Sequence, residues 1–233
     1  MRDRVVKWIV IPGLIFFSLS VQARDFWEGP FFWQTKPALQ ERMRTERYIP
    51  VSVTSETDDG KKIWLMKGAG FVQAAGDFTL AWAQDYSQLQ KLSDHFSSVE
   101  WDAAKSELHL VAKVMGRSYR LRFHLWTTLA NSDLGGKKIQ RLHWKVLDQP
   151  GRESQSELVG AEGALIITEI TRQSCEVGLI SRYNGNFAAF GNTFFAVAVE
   201  GVLAHVARSL RQSVEVAWQK QMDSDNKGPA SVR

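Results

Sequence analysis

Apolar and polar positions along this chain change their period several times, and each change marks an element. Trp8 to Leu19 is an apolar run broken only by Pro12, Gly13 and Ser18. Tyr48 to Thr54 alternates with a period of two, Asp58-Asp59-Gly60 makes a turn, and Lys62 to Gln73 returns as a second strand, which predicts a hairpin. Leu80, Ala83, Tyr86, Leu89, Leu92 and Phe96 then recur every three or four residues. That spacing predicts a helix from a cap at Asp77 or Thr79 to about Phe96. The period of two returns over 107–127. Gly116-Arg117 at its centre suits a two-residue type II′ turn. Such a turn pairs Val114 with Tyr119, Ala112 with Leu121, Leu110 with Phe123 and Leu108 with Leu125. On the other face it pairs Lys113 with Arg120, Val111 with Arg122 and His109 with His124. Further strands are expected at Ile139–Leu147, Leu158–Thr171 and Glu176–Tyr183, with Gly160 and Gly163 as bulges or bends.

The last pattern is the longest. From about Thr193 to Trp218 there is no proline and the period is helical. Phe195, Val199, Val202, Val206, Leu210 and Ala217 form one stripe, while Glu200, Arg208, Arg211 and Glu215 fall opposite. A one-sided apolar stripe of that length must be covered, and the strands before it are the available cover. The order strand, helix, strands, long helix therefore predicts an α+β fold: a curved antiparallel sheet wrapped on a C-terminal helix, enclosing an apolar cavity.

The beginning of the chain reads as a leader. Arg2, Arg4 and Lys7 precede the apolar run, and Val21-Gln22-Ala23 ends it with small residues at the cleavage positions. This is the plan of a secretory signal peptide occupying 1–23 and cut after Ala23. The run is short for a membrane span of about 20 residues. The expected destination is outside the cytoplasm, in the periplasm or beyond. Residues 24–47 form an extension. Phe26, Trp27, Phe31, Phe32 and Trp33 crowd around Gly29-Pro30, and ALQERMRTER suits a short polar helix. The aromatics either pack on the domain's surface or meet a membrane or the cavity mouth. The domain itself spans 48–220, and 221–233 reads as a disordered tail.

Charge and cysteine content narrow the functional classes. The formal net charge is +4, and the leader's three basic residues and one acidic residue account for half of it. What remains is too weak to argue for nucleic acid. The single cysteine, Cys175, has no intramolecular partner, so an exported chain must rest on its hydrophobic core. It is expected to be a packed thiol.

At this point particular segments resemble the START-like (SRPBCC) superfamily, the helix-grip fold of lipid-transfer and polyketide-cyclase-like proteins. Gly68-Ala69-Gly70-Phe71-Val72 followed by Ala74-Ala75-Gly76-Asp77 is similar to that family's first strand and its entry into a helix. Trp82-Ala83-Gln84-Asp85-Tyr86-Ser87-Gln88-Leu89 resembles its helix motif, and Leu158-Val159-Gly160-Ala161-Glu162-Gly163 its strand opening. The resemblance spans about 62–218. It implies the fold and a ligand space between sheet and helix. It implies no shared catalytic signature.

Catalytic and cofactor motifs are scarce. Gly68-x-Gly70 has Gln73 where a dinucleotide fingerprint needs its third glycine. Phosphate-binding and nucleophile-elbow motifs are lacking. His95, His109, His124, His143 and His205 have no local metal-ligand spacing and read as solvent-facing. Glu162 and Glu169 are seven apart in a strand and so on opposite faces. No catalytic residue, metal or cofactor is expected. Lys113, Arg120, Arg122, Arg141 and Lys145 share the non-core face, which is either solvated or meets anionic headgroups.

The first functional reading is an exported binder or carrier of a hydrophobic molecule, most simply a lipid. Leu110, Tyr119, Leu121, Phe123, Leu125, Leu142, Trp144, Val177, Leu179, Val202 and Val206 would line its site, with Tyr119, Arg182 and Tyr183 near a polar head. The second is an enzyme of the cyclase or aromatase kind in the same cavity. The third is a filled-core domain acting through its surface.

Overall fold

The computed structural model describes residues 31–58, 61–92, 96–114, 117–131, 137–147, 158–185 and 192–226. The leader lies outside them, as do the aromatics before Phe31 and Gly116 of the expected turn.

Eight strands form one antiparallel sheet: β1 (Val51–Asp58), β2 (Lys61–Val72), β3 (Phe96–Asp102), β4 (Glu107–Val114), β5 (Arg117–Asn131), β6 (Lys138–Val146), β7 (Leu158–Thr171) and β8 (Ser174–Gly185). Their order across the sheet is β1-β2-β8-β7-β6-β5-β4-β3, so β1 and β3 are the edges. Four helices accompany it: α1 (Pro37–Thr45), α2 (Gly76–Gln84), α3 (Leu89–Leu92) and α4 (Asn192–Asn226). The α+β architecture of a curved sheet closed by a long C-terminal helix is as the pattern predicts. α4 continues past Trp218 to Asn226, into the segment read as a tail.

Two expectations are corrected. The helix predicted to run to Phe96 stops at Asp85, whose ψ of 80° is not helical. The Asp85 carboxylate accepts from Ser87 Oγ and Gln88 Nε2, both at 2.6 Å, and stabilises a tight 3-10 turn at Tyr86–Gln88 before α3. Phe96 then opens β3, a strand that the helical spacing concealed. Nor does a side chain cap α2. Its N-cap is Ala75, Thr79 Oγ1 donates back to the Ala75 carbonyl at 2.9 Å, and Asp77 accepts from Gln140 Nε2 at 2.7 Å.

The β4–β5 register is the second correction. Val114 pairs with Arg117, Ala112 with Tyr119, Leu110 with Leu121 and Leu108 with Phe123. The partner strand is thus displaced by two residues from the predicted pairing. A shift of two preserves which face each side chain occupies, so the apolar face survives intact. The cross-strand neighbours do change. His109 now faces Arg122, Glu107 faces His124, and Lys113 faces Ser118. The predicted opposition of Lys113 to Arg120 and of His109 to His124 does not occur.

Both faces of the sheet are covered in part, by different segments. On the convex face Phe31, Trp33 and Met43 pack with Ala69, Ala164, Ile166 and Ile180. Phe31 stacks on Trp33 with ring centroids 4.8 Å apart. The indole rests against Gly178, where a Cβ would lie 2.7 Å from Cζ2. Trp33 Nε1 donates to Glu176 Oε1 at 3.1 Å. These extension aromatics therefore pack on the sheet, on the face away from α4. The concave face holds the main core. Leu108, Leu110, Leu125, Leu142, Leu165, Ile167 and Val177 meet Leu80 and Tyr86 from the α2–α3 region and Val214 from α4.

Cys175 belongs to that core. It sits in β8 with no exposed surface, in contact with Thr79 Oγ1 at 3.4 Å, and burial pushes its thiol up to about 11. It is a packing residue, because the thiolate that reactivity needs is suppressed.

Candidate functional site

β1, the upper half of β2 and the adjoining part of β8 carry alternate side chains toward α4. Two of those positions in β2 are glycines, Gly68 and Gly70, on the same face because strand side chains alternate. At Gly70 the missing side chain leaves a hollow in the floor, since a Cβ there would meet only Ile49 Cγ1 at 3.7 Å, whereas at Gly68 a Cβ would come within 3.3 Å of the Pro50 carbonyl oxygen. α4 lies over it and contributes Leu203, Val206, Ala207, Leu210 and Arg211. Ile49, Val51, Val72, Leu165, Val177 and Leu179 complete a cavity of about 130 Å³. Among the described residues, Arg211 is the one ionisable side chain that lines it.

α4 sits toward the β1 edge of the sheet, and that placement decides where its charged flank goes. Half of an edge strand's N–H groups point away from its neighbour and need partners. In the edge strand β1 the Val53 N–H donates to Glu200 Oε1 at 3.1 Å; just past the end of the interior strand β2 the Gln73 N–H donates to Glu215 Oε1 at 2.8 Å. Glu215 also pairs with the Arg47 guanidinium. Arg211 Nη1 donates to the Arg47 carbonyl at 2.7 Å. Glu200, Arg211 and Glu215 are therefore docking residues rather than the solvated side of an amphipathic helix. The stripe that faces the sheet is Leu203, Val206, Ala207, Leu210, Val214 and Trp218.

The expected lining residues divide by the half of the sheet that carries them. Val177, Leu179 and Val206 do line the cavity. Leu110, Leu121, Phe123, Leu125, Leu142 and Trp144 lie on the same concave face but in the packed core, where the α2–α3 segment fills the space above them. Trp144 lies flat over Gly163, whose added Cβ would come within 2.0 Å of Cζ2. Gly163 is thus a close-approach glycine, while the register shift falls at Leu158/Gly160. Tyr183 faces inward with Val53, Trp64, Met66 and Leu203, and burial raises its phenol above the ordinary value. Arg182 projects from the opposite face, where it pairs with Glu162, and so is turned away from the cavity. The side chains of Tyr119 and Val202 lie outside the described ones.

Ile49, Val51, Gly68, Gly70, Leu203, Leu210 and Arg211 were not expected at the site. The two glycines carried a signal: alternate glycines inside an otherwise apolar strand mark either a close approach or a hollow. Arg211 carried none, because its neighbours across space depend on where α4 docks.

The convex face holds His109, His124 and His143; His205 is on α4 and His95 lies outside the described residues. His143 is buried rather than solvent-facing, since Trp126 stacks on it with centroids 5.0 Å apart and Thr128 Oγ1 lies 2.9 Å from its Nε2. His109 Nε2 approaches Glu107 at 3.3 Å, and Arg122 reaches the same carboxylate at 3.7 Å. Among the described residues no three histidine, cysteine or acidic side chains gather as metal ligands.

The sequence matches no family model and no curated protein. Solved structures do match its fold. A START superfamily protein from Mycobacterium smegmatis superposes with a TM-score of 0.50 at 11% identity, covering 66% of this chain and 98% of its own. A STAR-related lipid transfer protein from Xanthomonas axonopodis gives 0.50 at 13% identity, covering 70% and 98%. This chain has the START-like, helix-grip fold. β1 is an edge strand that pairs with β2 on the side away from β8, and it supplies one wall of the cavity.

Proposed function

We propose that this protein is an exported binder of a small hydrophobic molecule, held between α4 and the β1–β2–β8 part of the sheet. The observation that carries the reading is the cavity floored by Gly68 and Gly70 and walled by aliphatic side chains. Residues this apolar, brought together without filling the space between them, gain free energy when a ligand's apolar surface replaces the void, about 25 cal/mol per Å² before the costs of association. The name of the Xanthomonas lipid transfer neighbour agrees with an apolar ligand. Size narrows the class. Pockets for drug-sized ligands run to roughly 300–1,000 Å³, whereas this one holds about 130 Å³. That suits a single ring or one short acyl chain, not a two-chain lipid. An acid–base enzyme is disfavoured, since general acid–base chemistry needs a positioned donor and acceptor and Arg211 stands alone among the ionisable lining residues described. Export rests on the leader, and N-terminal sequencing of the exported protein should begin at Arg24.

Gly70→Val tests the cavity. A Cβ there would meet only Ile49 Cγ1, at 3.7 Å, an ordinary contact. The valine methyls would then occupy the hollow. Calorimetric titration with octan-1-ol should show binding by the wild type and a large loss in the variant. Stability should hold or rise by about 0.5–1 kcal/mol, because glycine weakens a strand interior. A destabilisation of about 1–3 kcal/mol, as overpacking gives, with no octanol bound by either protein, would mean the core is filled and the function lies on the surface.

A further inference from the structure

We infer that the cavity's ligand is a small apolar monocarboxylate whose anionic group meets the Arg211 guanidinium. The inference rests on the cavity being a ligand site. Arg211 is the last residue that α4 contributes to the lining, on the side where it reaches the Arg47 carbonyl. It is half-buried, and its one hydrogen bond among the described residues runs from Nη1 to the Arg47 carbonyl. A guanidinium has five donors, so most of its fork has no protein acceptor there. Glu215, four residues on and near the same side of the helix, is turned to Arg47 and to the Gln73 N–H. No described carboxylate makes an ion pair with Arg211. Burial disfavours its charge, the cations of Arg47 and Arg208 add to that, and Glu215 offsets it only in part. An incoming anion would relieve all three effects at once.

The class of anion follows from charge and size. A planar fork matches a carboxylate with two parallel hydrogen bonds. One guanidinium offers one compensating charge, because Arg47 is already paired with Glu215. That favours a monoanion over a phosphate monoester. The apolar part must fit about 130 Å³, close to the roughly 150 Å³ engineered cavity that takes benzene.

The test is calorimetric titration of the mature full chain with octanoate, octan-1-ol and octyl phosphate at neutral pH and low salt. Octanoate should bind at least about tenfold more tightly than octan-1-ol, the scale of a charge-assisted contact. In Arg211→Gln the octanoate-to-octanol ratio should fall toward one. Arg211→Lys should retain part of the preference, and it decides the matter if the glutamine variant does not fold. Lys220→Gln, changed at an exposed position of α4 that exerts no influence on Arg211, should leave the ratio as it is. Equal affinity for octanoate and octanol in the wild type, an undiminished ratio in a folded Arg211→Gln, or tighter binding of octyl phosphate would each overturn the carboxylate assignment while leaving the cavity reading standing. No binding of any of the three would overturn the cavity reading itself.

Discussion

Trp33→Ala is expected to cost about 3–5 kcal/mol of stability, the scale of losing a fully buried indole. A typical domain has only about 5–15 kcal/mol in total, so this change approaches global unfolding. The size of the effect comes from what the indole covers. Trp33 is 1% exposed, stacked on Phe31 and laid against the Gly178 backbone, with Met43, Ile166 and Ile180 in the same cluster. Truncation opens a void between the sheet and the extension, and neighbours held by the sheet cannot collapse into it. It also strips the Glu176 carboxylate of its indole donor.

Trp33→Phe separates the two effects. Burial raises the Glu176 carboxyl, and the bond from Trp33 is the largest influence pulling it back down. A carboxyl raised in the folded state holds its proton more tightly there than in the unfolded chain. Stability therefore falls as pH climbs from the unfolded value, about 4.3, through the folded one. Removing the N–H raises the folded value further and steepens that decline. The phenylalanine variant should lose about 1–3 kcal/mol at neutral pH and much less below pH ~4, where Glu176 is protonated in both states. Urea unfolding at the two pH values measures this. A Trp33→Ala variant within about 0.5 kcal/mol of wild type would mean that the aromatic extension is a loosely held tail.

The second large effect is expected at Gly163. Its Cβ would overlap the Trp144 ring, at 2.0 Å from Cζ2 and 2.3 Å from Cε2. The obstacle is a rigid ring system set among core side chains, not the end of a flexible chain. Gly163→Ala should cost about 3 kcal/mol, the upper part of the overpacking range. The penalty should largely vanish when Trp144 is already alanine, because the clashing atoms are gone. That double-mutant cycle would give a coupling of about 2–3 kcal/mol. Additive effects of the two substitutions would show that the indole does not rest on this glycine. The same packing explains why Trp144 is a core residue and no part of the ligand site: it is held down on the sheet.

The register of the β4–β5 hairpin shows how far a face can be read without the partner being known. Leu108, Leu110, Leu121 and Phe123 face the core under either the predicted or the observed pairing, since strands displaced by two residues keep their parity. Which residue opposes which is set by the turn. Val114 pairs with Arg117, so the two strands meet one position earlier than the glycine suggests. Asp85 teaches the opposite lesson. The helical spacing of Leu80 through Phe96 is real, yet a short side chain bonding to Ser87 and Gln88 ends the helix within it. The alternation of Val99 and Trp101 with Ser98, Glu100 and Asp102 was the available sign of β3, and the register irregularity between Phe96 and Ser98 interrupts it. The Asp102 carboxylate binds the Ala104 and Lys105 N–H groups to turn the chain.

By itself the sequence determined the α+β class, the coarse order of elements, the faces of most strands and the start of the closing helix. These follow from local periodicity, which each segment carries within itself. Tertiary structure alone decided where α4 docks, and with it the site. Because the helix lies near the β1 edge, Glu200 meets an edge-strand N–H and Glu215 the N–H just past the end of β2, the two β2 glycines become part of a cavity lining, and Arg211 is drawn from the polar flank to the cavity. The core under α2 and α3 is filled for the same reason: the α2–α3 segment occupies the half of the concave face that α4 leaves uncovered. A helix's own pattern states which side is apolar. Where on the sheet that side settles depends on volumes contributed by residues more than a hundred positions away.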